Sequence, residues 1–524
     1  VQSIPNWLDQ TALRFPEHTA IEDSAGRSIC YRDLARLSQA VAQGLVLEYG
    51  LERGDRVGIL MAKSVDAMVA FHAVLRSGAA YVPIDSSGPV RRAAVLFQDC
   101  AAKVVLVDEN LAQELRNELE LLASSIALLV IPREAQDGAA WRIETTAGEF
   151  AIADVTMQGN DVAFMLYTSG STGKPKAVVL THANVVDFID WCSATFAPTE
   201  HDRFATQSPL HFSLPVFNFY LACKHGGAVC LIDDRAARVP EVLAQLIAKM
   251  RVTVWFSAPA ALSQLAQSDQ LRAVSSLRLV MWAGEVLHTA KLRDLRAKLP
   301  PCRCVNVLGS TETHIMAHYE VPDELPPDSR APIPVGTVGT RFRSRIIDED
   351  GNDIAPGADG ELCLTGPGVT AGYWNAPEVT ARVFFTDAQG RAWYRTGDMV
   401  RARADGNLLY RGRRDRMVKK RGNRIELGEI ESCLHAHSNL NEVAVVAIAD
   451  EAVGLKVQAF VVARHAPHPS IIELKAHCAR SLPNYMVPDS FAFPDALPRT
   501  STGKVDYPKL QEMLGSTRQE LPNC

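Results

Sequence analysis

The stretch with the densest chemistry is Leu166-Tyr167-Thr168-Ser169-Gly170-Ser171-Thr172-Gly173-Lys174-Pro175-Lys176, which follows an apolar run from Val162 to Tyr167. Glycines let backbone N–H groups crowd onto phosphate oxygens, hydroxyls add donors, and lysines neutralise charge, so an anion is the natural guest. The spacing is not that of a P-loop, which needs Gly-x4-Gly-Lys-[Ser/Thr]; here Lys174 follows Gly173 and precedes Pro175. Taken alone, the stretch also fits a flexible polar turn.

Three further clusters combine glycine with a charged side chain. In Asn306-Val307-Leu308-Gly309-Ser310-Thr311-Glu312-Thr313 a carboxylate stands among hydroxyls. Beside a phosphate loop such a group suits Mg²⁺, although Ser-Thr-Glu also opens helices as an N-cap. Tyr394-Arg395-Thr396-Gly397-Asp398 sets an acid after a glycine turn, as an acceptor for ribose hydroxyls or as an ordinary turn aspartate. Ser501-Thr502-Gly503-Lys504-Val505-Asp506 places a single lysine on a glycine turn, a pattern that by itself also describes a solvated surface lysine.

The elements that must carry these clusters alternate. Helical spacing over 31–47 is followed by a strand pattern over 56–61, a helix over 67–75, a strand over 103–107, a helix over 111–122 and a strand over 127–131. After the glycine-rich stretch the alternation resumes, with helices at 182–196 and 239–250 and strands at 227–232, 252–256 and 277–282. Such βα alternation predicts parallel sheet and an α/β class. From about 333 to 411 short strand-like runs between turns predict a β-rich subdomain. Beyond the basic run Gly412-Arg413-Arg414-Asp415-Arg416 comes a small α+β tail, with Asp415 as a hinge or a plain surface linker. The expected domains are 1–414 and 415–524.

The 524 residues exceed one ordinary core, and 47% hydrophobic with 22% charged residues is a soluble globular composition. A net charge of −6 offers no basic footprint for nucleic acid or anionic lipid, which favours a small-molecule substrate. Eleven cysteines, an odd number with no CxxC spacing, argue against a disulfide framework or a zinc site. No apolar run reaches bilayer-spanning length and no secretory pattern opens the chain, so a cytoplasmic enzyme is expected.

Together the clusters resemble the adenylate-forming superfamily, and within it the adenylation domains of nonribosomal peptide synthesis and their free-standing carrier-protein ligases. The similarity runs in order through Tyr31-Arg32-Asp33-Leu34, Arg76 to Asp85, Tyr167 to Lys176, Asn306 to Thr313, Gly360-Glu361-Leu362 to Gly372-Tyr373, Tyr394 to Asp398, Gly412 to Glu431, Leu482 to Pro488 and Thr502 to Asp506. The resemblance implies a large N-terminal domain of αβαβα-type sheets with a β-rich subdomain, and a small mobile C-terminal lid. It implies ATP and Mg²⁺ as cofactors and a separate carrier protein as partner. Thr168, Ser169, Gly170, Ser171, Thr172, Gly173, Lys174 and Lys176 would embrace the outer phosphates, with Asn306 in the same nucleotide site. Glu312 would hold Mg²⁺, Thr311 would touch the α-phosphate, Asp398 would bind ribose, Arg413 would support the nucleotide and His211 would gate the acid. Lys504 would bridge the acid and the α-phosphate, and rotation about Asp415 would withdraw it for the second half-reaction.

The substrate pocket departs from the family. Amino-acid-activating relatives carry Phe-Asp-x-Ser, whose aspartate pairs with the substrate ammonium; this chain has Phe212-Ser213-Leu214-Pro215, and Asn218 at a frequently acidic position. Serine can hydrogen-bond but cannot neutralise a buried ammonium. The remaining pocket positions align to Leu214, Phe217, Phe256, Met281, Ala283, Val307, Ile315 and Met316, all apolar. The expected substrate is therefore a small acid without a charged α-amino group, with a proline-like or small apolar amino acid as the alternative and coenzyme A as the alternative acceptor. An adenylating oxidoreductase is opposed by the carrier-type stretch Lys420 to Glu431, and a non-catalytic binder by the presence of Lys504, Glu312 and Asp398. Ala177, Leu308 and Ser310 replace the glycine, tyrosine and proline usual at their positions, which touches backbone detail and adenine stacking and leaves the reaction class alone.

Overall fold

The computed structural model describes residues 3–132, 157–169, 175–285, 287, 289–325, 333–414, 416–450, 454–499 and 505–516. The chain divides into two compact units: the first comprises 1–86, 93–167 and 177–414, the second 415–524 with the short segments 87–92 and 168–176.

Runs such as Val104-Val105-Leu106-Val107 and Val254-Trp255-Phe256 are apolar on both faces, the composition of strands covered on both sides. Among the described residues they build two large sheets. One runs, edge to edge, Thr337–Val338, His314–Glu320, Arg303–Ser310, Leu279–Ala283, Val254–Ser257, Arg203–Thr206, Ala228–Leu231, Thr19–Asp23 and Ser28–Cys30. Its six middle strands are parallel and its outer ones antiparallel. The other runs Gly372–Tyr373, Lys176–Thr181, Val162–Thr168, Ala80–Pro83, Arg56–Leu60, Val104–Asp108 and Ala127–Ile131.

Two helices are buried on almost every side, Val65–Arg76 and Leu214–His225, and both lie in the core cluster that also holds Val57 and Phe164 of one sheet and Ile21 and Phe204 of the other. A helix apolar all round belongs in such an inner layer. Tyr31, in the first similarity motif, donates its hydroxyl to the carbonyls of Ala222 (2.8 Å) and Gly227 (2.6 Å) and so fixes the end of the second of these helices. This is the expected α/β layering.

In the expected β-rich region, Arg343–Ile347, Asp359–Thr365, Phe384–Thr386, Ala392–Ala402 and Leu408–Arg413 form an antiparallel sheet. Two short strands of that region pair elsewhere: Thr337–Val338 joins His314–Glu320, and Gly372–Tyr373 joins Lys176–Thr181. Two-residue strands carry no alternation pattern that could say which edge they join. In the second unit, Leu440–Asp450, Gly454–Ala463 and Ser490–Ala492 form a small sheet covered by the helices Leu427–His435 and Ile471–Ala479. Arg421 and Gly422, at φ 52° and 79°, turn the hairpin of Met417–Lys420 and Asn423–Glu426, a backbone that favours glycine at one central position. The cysteines among the described residues are free, and no helix among those residues is long and apolar enough to cross a membrane.

Three histidines are buried among the described residues of the first unit. Burial, with Arg76 nearby, lowers His72 to about 3; burial lowers His182 to about 4; burial, with Arg341 nearby, lowers His314 to about 3. Because each folded value lies below the ordinary 6.5, the unfolded chain binds more protons between these limits. Their contribution is complete above about pH 6.5 and is lost as pH falls toward about 4 and below. The thermal midpoint is therefore expected to fall over that window, and to fall less steeply in His72→Gln or His182→Gln; equal slopes in variants and parent would count against these histidines as the cause.

Candidate active site

The Asn306 cluster closes a hairpin between the antiparallel strands Arg303–Ser310 and His314–Glu320 and opens no helix, which removes the N-cap alternative for Glu312. The hairpin is tight: a Cβ on Gly309 would stand 2.4 Å from the His314 carbonyl oxygen, so only glycine fits there. The Glu312 side chain is fully buried, and its carboxylate accepts a hydrogen bond from the Tyr373 hydroxyl at 2.8 Å. Its carbonyl accepts the Thr370 N–H at 2.8 Å. Thr311 beside it is half-buried. Asn306 donates its amide to the carbonyls of Ile333 (3.3 Å) and Pro334 (2.8 Å), so its nitrogen holds the following loop.

Asp398 is also fully buried and sits opposite Arg413 in the antiparallel pair Ala392–Ala402 and Leu408–Arg413. Arg413 Nη1 donates to Asp398 Oδ1 at 3.0 Å and to the Thr396 carbonyl at 2.9 Å. The Thr396 hydroxyl accepts the Asp398 N–H at 3.0 Å. Oδ2 of Asp398 has no hydrogen-bond partner among the described residues. A carboxylate anchored through one oxygen and open at the other suits a ligand hydroxyl as donor. Glu361 holds the turn in place, taking Arg395 at 2.9 Å, Arg414 at 2.8 Å and the Gly397 N–H at 3.1 Å, which gives the Gly-Glu-Leu motif its physical purpose.

Of the glycine-rich stretch, Gly170, Ser171, Thr172, Gly173 and Lys174 lie outside the described residues, as do Asp415 and Lys504. Thr168 ends its strand and Lys176 begins the next. Ser169, grouped with the second unit, donates its hydroxyl to the Arg424 carbonyl at 3.3 Å and accepts the Glu426 N–H at 3.1 Å.

Phe217, Phe256, Met281, Val307 and Ile315 share one buried cluster, with Leu214 and Ala283 packed against it; Phe217 meets Phe256 edge-on at 5.4 Å. Met316 does not join them. Successive strand residues point to opposite faces, so Met316 lies in a separate cluster with Leu308, Val335 and Phe342. Ser213 stands at the N-terminal end of the helix Leu214–His225 and makes no capping bond. Half-buried His211 meets the Phe212 ring edge-on at 4.5 Å. Asn218 is fully buried and donates to the Ala205 carbonyl (2.9 Å) and the Thr206 hydroxyl (3.1 Å).

No three His, Cys, Asp or Glu side chains among the described residues gather into a metal cage. A single buried carboxylate, Glu312, is nevertheless the donor set Mg²⁺ commonly takes when phosphate oxygens and water supply the remaining ligands.

Residues 8–374 match the family model of the AMP-binding enzymes, and residues 429–504 match that of their C-terminal domain. The chain belongs to the AMP-binding enzyme family. As a member it is an adenylating acid–thiol ligase. It is 36% identical over 496 residues to an L-proline--[L-prolyl-carrier protein] ligase of Pseudomonas fluorescens, covering 94% of this chain and 95% of that one. It is 34% identical to a ligase of the same description from Streptomyces coelicolor, covering 95% and 96%. Tyrocidine synthase 1 of Brevibacillus parabrevis is 31% identical across 98% of this chain and 45% of its own length. In fold the AMP-binding chain is similar to the amide bond synthetase McbA from Marinactinospora thermotolerans, with a TM-score of 0.85 at 23% identity over 98% and 99% of the two chains.

Tyr373, Glu361 and Thr370 support the Glu312 and Asp398 turns, and their only signal in the sequence is membership of the Gly360–Tyr373 similarity. Removing Arg413 from the Asp398 pair leaves a buried carboxylate without its cation, so Arg413→Ala is expected to lower unfolding free energy by about 3–5 kcal/mol. Asp398→Asn, which drops the charge and keeps the shape, is expected to cost less. Urea unfolding of both variants checks the order, and a larger loss in Asp398→Asn would contradict it.

Proposed function

We propose that this enzyme condenses a small carboxylic acid lacking a charged α-amino group with ATP, releasing pyrophosphate, and passes the acyl group to the phosphopantetheine thiol of a separate carrier protein. In the first step a carboxylate oxygen bonds to the α-phosphorus as the bond to pyrophosphate breaks. In the second, the thiolate attacks the acyl carbon and AMP leaves with the bonding pair. Both steps bring anions together, so in-line positioning and charge neutralisation carry the catalysis.

In this reading Thr168 to Lys176 receive the outer phosphates, Thr311 touches the α-phosphate, Asp398 Oδ2 accepts a ribose hydroxyl and Arg413 holds that carboxylate in place. Glu312 would hold Mg²⁺, which screens phosphate charge when bound. Lys504 bridges the two reacting anions, and residues 415–524 act as a lid hinged at Asp415. Acceptance of a carrier-protein thiol is supported by the description of the proline ligases and by the Lys420 to Glu431 stretch.

The observation that carries the substrate class is the pocket. Phe217, Phe256, Met281, Val307 and Ile315 offer no carboxylate, and the residue where relatives place one is Ser213, at the N-terminal end of a twelve-residue helix. That end of a helix carries partial positive charge and opposes an ammonium. A second reading, a proline-like amino acid, is favoured by the 36% and 34% identity to proline ligases along nearly the whole chain.

ATP–pyrophosphate exchange over matched pairs of amino acids and their des-amino analogues decides between them. Since an unpaired buried ammonium costs several kcal/mol, the des-amino acid is expected to lead by on the order of 100-fold. Ser213→Asp is expected to shift preference toward the amino acid. Exchange confined to an α-amino acid in the parent enzyme would establish the second reading instead.

A further inference from the structure

Immediately after Thr311-Glu312-Thr313 the backbone does something costly. His314 takes φ 54°, in the left-handed region that L side chains seldom adopt. Its imidazole is buried, stacked on Phe188 at 4.5 Å and 14°, and neither ring nitrogen has a hydrogen-bond partner among the described residues. Within the turn the His314 carbonyl accepts the Thr313 hydroxyl at 3.3 Å and the Thr313 N–H reaches the Ser310 carbonyl at 3.4 Å, both long, and the shorter bonds come from outside.

Arg341 holds it. Its Nη2 donates to the carbonyls on either side of His314, Thr313 at 2.7 Å and Ile315 at 2.9 Å, while Nη1 donates to Asp187 Oδ2 at 2.7 Å. The guanidinium also faces the rings of Phe342 at 4.2 Å, Phe188 at 5.3 Å and Trp191 at 5.7 Å. Asp187, Phe188 and Trp191 belong to one face of the helix His182–Phe196, and Asn184 stands one turn earlier on it. Asn184 donates to the carbonyls of Pro367 (2.7 Å) and Val369 (3.0 Å). That segment passes so close that a Cβ on Gly368 would lie 2.0 Å from Arg341 Nη1. It then returns the Thr370 N–H to the Glu312 carbonyl and the Tyr373 hydroxyl to the Glu312 carboxylate. Both ends of the Glu312 turn are thus referred to a single helix face.

We propose that Arg341 and Asp187 form a positioning pair that sets the place of the Glu312 carboxylate and of the pocket residue Ile315 together, coupling Mg²⁺–ATP binding to acid binding through one guanidinium. The proposal rests on the reading of Glu312 as the carboxylate that faces Mg²⁺. Burial pulls Arg341 down and Asp187 up from their ordinary values, opposing the attraction between them. A pair so desolvated is a poor source of stability but a firm source of geometry. Lysine would keep the charge yet could not span two carbonyls and a carboxylate with a planar fork.

The test uses full-length parent, Arg341→Lys, Asp187→Asn and Glu312→Gln proteins, with Mg²⁺–ATP affinity by calorimetry, acid KM by pyrophosphate exchange and the melting midpoint without ligands. Arg341→Lys is expected to weaken Mg²⁺–ATP binding and raise acid KM, each by roughly 5- to 20-fold, with Asp187→Asn moving both the same way to a smaller extent. A lowered midpoint with both affinities intact would overturn the proposal by making the pair structural. Glu312→Gln separates the two ideas. If it leaves Mg²⁺–ATP affinity unchanged, the reading of Glu312 fails and the coupling falls with it. If it weakens affinity while Arg341→Lys does not, the positioning role alone is refuted.

Discussion

A carboxylate removed from water must be met by donors placed for it, and two of the glycine-bearing motifs of the first unit each carry one. Glu312 and Asp398 are both fully buried. One is met by Tyr373, from a strand paired into the other large sheet, and the other by Arg413, from the neighbouring strand of its own sheet. Such groups cost several kcal/mol unless supplied in this way, so the sheets that bring the donors in are as much part of the chemistry as the acids. This explains why the two-residue strand Gly372–Tyr373 leaves the β-rich region to pair with Lys176–Thr181: its hydroxyl is needed there.

Reaction class was legible in the sequence because it resides in short motifs whose residues lie within a few positions of one another. The failed P-loop spacing at Gly173-Lys174-Pro175, the carboxylate of Glu312 among hydroxyls and the Gly397-Asp398 turn each carried meaning locally. The parallel sheets were legible for the same reason, since strand and helix alternate within 30 or so residues. What escaped was the support. Tyr373 meets Glu312 across 61 positions and Arg341 meets Asp187 across 154, and no local pattern announces a partner so far away. Met316, aligned with the pocket positions, lies in a different apolar cluster from them. An alignment assigns neighbouring residues to one pocket, whereas a strand sends them to opposite faces.

Substrate identity sits between these cases. Ser213 is a single position, at the N-terminal end of a helix whose next residue, Leu214, packs against the apolar cluster. An aspartate could pair with a buried cation, whereas a serine can only hydrogen-bond to it. The 36% and 34% identity to L-proline--[L-prolyl-carrier protein] ligases runs along nearly the whole chain and bears on the same question from the other side.

The Tyr31 hydroxyl bonds the carbonyls of residues 191 and 196 positions later in the chain. During synthesis the first motif therefore emerges long before its anchor exists. The helix Val65–Arg76, apolar all round, packs on Tyr31–Tyr49 and Ala80–Pro83, but its Phe71 and His72 also meet Phe219 and Tyr220, which emerge much later. Until residue 227 has left the ribosome these surfaces lack part of their native cover, and contacts this distant form slowly because the intervening loop must first be closed. The same layering that buries both inner helices thus makes the first motif and part of the first inner helix wait for residues synthesised much later.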